Sequence, residues 1–182
     1  MNFIETELSG AYLINLEKRE DERGFFARYY CNKEFLNRNL EVNWSQVNNS
    51  LSVEKGTLRG LHFQQEPFSE VKLIRCIRGS IWDVIVDIRI GSPTYGKWFS
   101  AELTAENRTM MYVPKGFAHG FISLADNSEI LYMVSEAYNP KFERTLRWND
   151  KFHKIEWPTI PTVISDKDIN AFDWDGSEAV LI

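Results

Sequence analysis

Histidine and cysteine are scarce in this chain of 182 residues, with three of the former and two of the latter. Cys31 and Cys76 lie far apart with no CxxC pair. Two thiols cannot build a zinc framework, and a disulfide scaffold does not suit a chain of this size. Two partly buried free thiols are expected instead. The histidines, His62, His119 and His153, show no His-x-His or His-x-x-x-His spacing. A catalytic metal needs at least three N, O or S donors, so no metal is expected. Basic residues are in deficit, 21 Lys and Arg against 26 Asp and Glu, for a net charge of -5. That excludes the basic footprint of a duplex-binding protein, so no nucleic-acid partner is expected. No apolar run approaches the ~18 residues of a membrane span, so no membrane partner is expected either. The first ten residues, MNFIETELSG, carry acids where a secretory signal carries basic residues. The expectation is cytoplasmic. Glycine (10) and proline (6) are few and dispersed, with no linker and no internal repeat. One domain over residues 1–182 follows.

Aromatic residues, in contrast, are plentiful at 14% of the chain. They point to a β-rich core or to stacking surfaces. Residues 71–78 (VKLIRCIR) and 81–89 (IWDVIVDIR) read as strands separated by Gly79-Ser80. In the second, Trp82, Val84, Val86 and Ile88 share one face; Ile81, Asp83, Ile85 and Asp87 share the other. Further strands fit residues 98–103, 109–113, 119–124 and 129–135, with turn clusters between them. Many short strands at such spacing predict a sandwich or barrel. Residues 3–15 alternate weakly, as an edge strand or arm does. Asp21-Glu22-Arg23-Gly24 reads as a turn, residues 32–39 as a short helix, and a helical tail is expected from Ser165.

Individual polar residues each have two readings. His62, in Arg59-Gly60-Leu61-His62-Phe63-Gln64, is either a hydrogen-bonded core histidine or a group that titrates near neutral pH. His119 carries the same pair of readings. His153, among Asp150, Lys151 and Lys154, reads as surface. Lys72, in an apolar strand, either marks a sheet edge or points at an anion. Asp83 and Asp87 are candidates to pair with Lys72 or Arg75. Tyr132 is a core residue or a phenol with a task. Ser165-Asp166-Lys167-Asp168 has the spacing of a helix N-cap box. No nucleophile elbow, P-loop or GxGxxG is present.

Taken in order, several segments form one pattern: DERGFF (21–26), QVNxS (46–50), LRGLHFQ (58–64), KL (72–73), DVxVDIR (83–89), SPTYG (92–96), PxGFAHGF (114–121), WND (148–150), IEWP (155–158) and SxKD (165–168). Over residues 3–172 the chain resembles the dTDP-4-dehydrorhamnose 3,5-epimerase family. The resemblance implies a mainly β, cupin-type (jelly-roll) barrel with an N-terminal strand arm and short C-terminal helices. It implies inversion at C3, C5 or both of a 4-keto-6-deoxyhexose bound to a nucleoside diphosphate, in deoxysugar biosynthesis, without a cofactor.

By the same resemblance, His62 is the base, Asp168 its orienting carboxylate and Tyr132 the acid. Lys72 stands near the sugar ketone, and Asp83 is a carboxylate of the same pocket. Arg23, Gln46, Asn48, Arg59, His119, Glu143 and Lys167 hold the nucleotide and sugar. The family's homodimer, with an N-terminal strand shared across the interface, is also implied. Arg28 stands where the family usually has Glu, and Thr145 where Gly is frequent. A carboxylate suits the N3 proton of thymine, whereas arginine suits the N3 acceptor of cytosine. Arg28 therefore signals either a CDP-linked substrate or an unrelated surface or interface ion pair. A barrel of this fold that only binds sugar nucleotides is the competing class. The joint presence of His62, Lys72, Tyr132 and Asp168 argues against it.

Overall fold

The computed structural model describes residues 1–181. Its elements, in chain order, are β1 (Asn2–Glu5), β2 (Tyr12–Asn15), β3 (Arg19–Asp21), β4 (Gly24–Phe26), α1 (Asn32–Leu36), β5 (Gln46–Ser52), β6 (Thr57–Gln64), β7 (Lys72–Arg78), β8 (Ser80–Asp87), β9 (Arg89–Ile90), β10 (Trp98–Thr104), β11 (Met110–Val113), β12 (Phe117–Ser123), β13 (Ser128–Val134), β14 (Glu143–Thr145), β15 (Val163–Ile164), α2 (Asp166–Ile169) and β16 (Val180–Leu181). One sheet runs β1-β2-β11-β7-β13-β5; the other runs β10-β8-β12-β6-β14, with β15 added parallel to β6. The expected jelly-roll is thus a two-sheet barrel.

Side-chain alternation decides what each sheet buries. Ile74 and Cys76 of β7, Ile81 and Ile85 of β8, Phe117 and Phe121 of β12 and Ile130 of β13 meet between the sheets. The opposite face of β8 carries Val84 and Val86, which pack beneath Trp82, Trp98, Trp157 and Trp174. On the outer face of the first sheet, Leu73, Met110 and Tyr112 lie under α1. The five-residue α1 is too short to be stable alone. Its Phe35, fully buried, stacks edge-on against Phe3 (5.3 Å between ring centroids) and Tyr112 (6.1 Å), which anchors it.

At one point β6 departs from regular pairing. His62 faces His119 and Arg59 faces Phe121, so Gly60 and Leu61 together oppose Gly120 alone. This bulge puts Arg59 and His62 on the same, inward face, although regular alternation would separate them. Both glycines are required. A Cβ on Gly60, which has φ +126, would lie 2.5 Å from Gly120 Cα, and one on Gly120 would lie 2.8 Å from the Arg59 carbonyl oxygen.

His153 is a correction to its reading as a surface residue. Its side chain is 1% exposed and bonds Asp150 Oδ1 through Nδ1 at 2.9 Å. Trp174, from the C-terminal segment, covers it at 5.6 Å between ring centroids. That cover comes from residues remote in sequence, so the polar local window gives no sign of it. The suggested pairs of Asp83 and Asp87 with Lys72 or Arg75 do not form. Asp87 binds Arg89, Asp83 binds His119, and Arg75 lies over the Tyr29 ring on the outer face.

Candidate active site

Between the sheets, two adjoining cavities of about 420 and 470 Å³ open side by side, within the usual range for small-ligand sites. His62, Lys72 and Tyr132 line both and form their junction. His62 comes from β6 in one sheet; Lys72 and Tyr132 come from β7 and β13 in the other.

Asp168 orients the imidazole. Its Oδ1 lies 2.7 Å from His62 Nε2, and its Oδ2 accepts the Gly60 N–H at 3.2 Å. Ser165 caps α2 as its spacing predicts, its Oγ accepting the Asp168 N–H at 3.2 Å. The cap therefore places the carboxylate. Burial alone would raise Asp168, but the hydrogen bonds from His62 and Gly60 outweigh it and hold the carboxyl below its ordinary value. An ionised Asp168 takes the proton-bearing Nε2, which leaves Nδ1 as the basic nitrogen.

Lys72 is nearly buried. Its Nζ donates to the His62 carbonyl oxygen at 3.3 Å and lies 3.1 Å from Glu70 Oε1. His119 Nε2 is 2.7 Å from Asp83 Oδ1. Asp83 is fully buried behind His119 and does not line either cavity. Its second oxygen has no hydrogen-bond partner among the described residues.

The other predicted residues divide into two groups. Arg59, His119 and Lys167 line the first cavity; Gln46, Asn48 and Glu143 line the second. Glu143 Oε2 bonds Lys167 Nζ at 2.6 Å and accepts from Tyr138 Oη at 2.9 Å. Burial opposes its ionisation, but these two partners prevail and lower its pKa. Arg23 and Arg28 are not brought to this cavity. Arg23 is exposed on the β3–β4 hairpin and pairs with Asp21. Arg28, also exposed, lies 3.6 Å from Glu34 in a surface recess. Sequence reasoning missed Glu70 and Tyr138 as lining residues. Neither carries a local signal, because both sit in polar loops. Ser50, which lines the first cavity, was missed as well, although it follows Gln46 and Asn48 at alternate positions of one strand and that alternation could have found it. Among the described residues no group of three or more His, Cys, Asp or Glu gathers as a metal site.

A two-sheet cupin-type barrel whose cavity is lined by an imidazole–carboxylate pair, a phenol and an ammonium defines a class: a jelly-roll protein equipped for proton transfer on a bound small molecule. The comparisons narrow this. The family model for dTDP-4-dehydrorhamnose 3,5-epimerase matches residues 5–175, and the chain belongs to that family. A dTDP-4-dehydrorhamnose 3,5-epimerase of Sinorhizobium fredii is 46% identical over 169 residues, covering 92% of this chain and 87% of the relative. The crystal structure of that enzyme from Elizabethkingia anophelis superposes with a TM-score of 0.94 at 38% identity, covering 98% of both chains. A Legionella pneumophila dTDP-6-deoxy-D-glucose-3,5-epimerase, in complex with dTDP-4-keto-L-rhamnose, superposes at 0.91 with 34% identity, covering 100% of this chain and 98% of that one.

Proposed function

We propose that this chain epimerises a dTDP-linked 4-keto-6-deoxyhexose at C3, C5 or both. The observation that carries the reading is that His62 from one sheet and Tyr132 from the other line the same cavities, with Lys72 at the same junction. Inversion at carbon needs a proton removed from one face and returned to the other. His62 Nδ1 takes the proton from a carbon next to the ketone and becomes an imidazolium held by Asp168. The electron pair moves onto the ketone oxygen, and the Lys72 ammonium stabilises the enolate. The Tyr132 hydroxyl delivers a proton to the opposite face. The tyrosinate regains a proton from solvent, and His62 releases its own there. His119, buttressed by Asp83, together with Arg59 and Lys167, supplies positive and hydrogen-bonding groups for the diphosphate and sugar.

The test offers dTDP- and CDP-linked 4-keto-6-deoxyglucose in D2O and follows the sugar carbons by NMR. Deuterium entering the dTDP sugar at C3 or C5, and its absence with His62→Asn, is the expected result. Exchange that survives His62→Asn identifies another base, and binding without any exchange leaves a sugar-nucleotide binder. Preferential exchange of the CDP sugar would assign the base preference to Arg28. Its position beside Glu34 supports the ion-pair reading instead.

A homodimer is also part of the proposal. The β3–β4 hairpin leaves Phe26 65% exposed, and Val47 at 60% exposes the outer face of β5. Arg23 and Arg28 lie away from their own cavity on the same arm. Sedimentation at micromolar concentration is expected to give twice the chain mass; a monomer there would overturn the dimer. A cytoplasmic location fits this substrate class, and no helix among the described residues is long and apolar enough to cross a membrane.

A further inference from the structure

Glu70 reaches the cavity from the loop before β7. Its Oε1 lies 3.1 Å from Lys72 Nζ, and both side chains are about nine-tenths buried (11% and 10% exposed). The carboxylate is itself clamped, since Gln64 Nε2 donates to Glu70 Oε2 at 3.1 Å. The Gln64 amide is held in turn by backbone: its second Nε2 hydrogen is shared between the Phe68 and Ala137 carbonyls, and its Oε1 accepts the Asn139 N–H at 2.6 Å. A lysine ammonium has three donors. Two are taken, by Glu70 and by the His62 carbonyl oxygen. The third is left for the cavity that Lys72 lines.

We propose that Glu70 is a positioning residue for Lys72, fixing the ammonium beside the base where the enolate forms. This rests on the epimerase reading. A flexible lysine otherwise loses conformational freedom only when substrate arrives. A buried ammonium also needs a counter-charge in contact with it. The other ionisable groups around it are committed elsewhere. Asp168 serves His62, and Glu143 serves Lys167 and Tyr138. Glu70 is the carboxylate committed to Lys72.

The experiment compares wild type, Glu70→Gln and Glu70→Asp for kcat, KM and deuterium wash-in between pH 6 and 9.5, with dTDP affinity by calorimetry. Glu70→Gln is expected to lower kcat about tenfold or more. KM should stay within about threefold and dTDP affinity should be unchanged. Glu70→Asp keeps the charge and should recover most of the lost kcat. In a Lys72→Met background, Glu70→Gln should change the residual rate by less than about twofold, because the two residues act as one unit. Wild-type kcat in Glu70→Gln overturns the proposal. So does a loss confined to KM or dTDP affinity, or a kcat in Glu70→Asp as low as the glutamine variant's. If Glu70→Gln does not fold, the Asp variant and the Lys72→Met background, with Glu70→Asp added, decide by the same criteria. Absence of wash-in by the wild type would instead remove the epimerase reading itself.

Discussion

Asp168 shows how much chemistry one residue holds. Its backbone N–H closes the cap on α2, while its carboxylate sets which nitrogen of His62 carries the proton. Asp168→Asn keeps the shape but can donate an N–H to Nε2. That stabilises the opposite tautomer and blocks the base at Nδ1. The expected result is a fall in kcat of about 10²-fold or more, with dTDP affinity unchanged by calorimetry. A loss of less than tenfold would mean that the carboxylate is not what orients the base. The motif residues His62, Lys72, Tyr132 and Asp168 were legible in the sequence because each stands in a distinctive segment. Glu70 was not, because a glutamate between Ser69 and Val71 looks the same whether its loop folds inward or into solvent.

Among the elements, β7, β8 and β10 to β13 were legible because each is a short run rich in apolar and β-branched residues bounded by turn clusters, a signal that needs no knowledge of the partner strand. The boundaries agree closely: residues 81–89 were read as one strand, and β8 covers Ser80–Asp87. The short helices were found at Asn32 and after Ser165, though each is only about one turn long. The bulge in β6 was not legible, since it arises from two glycines on different strands that approach each other closely. Gly120→Ala tests it. The new Cβ would lie 2.8 Å from the Arg59 carbonyl oxygen and 3.1 Å from Gly60 Cα, both backbone atoms with little room to yield. A loss of about 1–3 kcal/mol in chemical denaturation is expected, as for other overpacked sites. Activity should fall as well, because Arg59 and His62 flank the displaced segment. Wild-type stability in this variant would show that β6 can shift freely.

The whole molecule buries several charged groups whose titration sets its response to acid. Asp87, Asp150 and Asp168 all lie below the ordinary aspartate value. Burial would raise each, and hydrogen bonds from Arg89, from the Trp174 N–H and from His62 respectively outweigh it. Such groups contribute stability that is present above their unfolded value near 4 and is lost as pH falls through the lower folded value. His153 works in a different window. Burial lowers it from the ordinary 6.5, with Asp150 opposing only in part. The unfolded chain therefore takes up a proton before the folded chain does, and stability declines as pH drops below about 6.5. The melting temperature is expected to fall gently between pH 7 and 5 and steeply below 4. His153→Asn should flatten the first part and leave the second. A first phase unchanged in that variant would assign it to another group. The surface reading of His153 failed at this scale, since Trp174 covers it only once the chain has closed on itself.

The extra residue in β6 makes the inward face of this strand a matter of counting. Three positions separate Arg59 from His62, and a strand of this length that paired residue for residue with β12 would put them on opposite sides of the sheet. The bulge absorbs the odd residue, so both reach the cavity. The catalytic arrangement therefore depends on an interruption in the sheet rather than on its regularity: the same residues in an ideal strand would lose one member from the pocket.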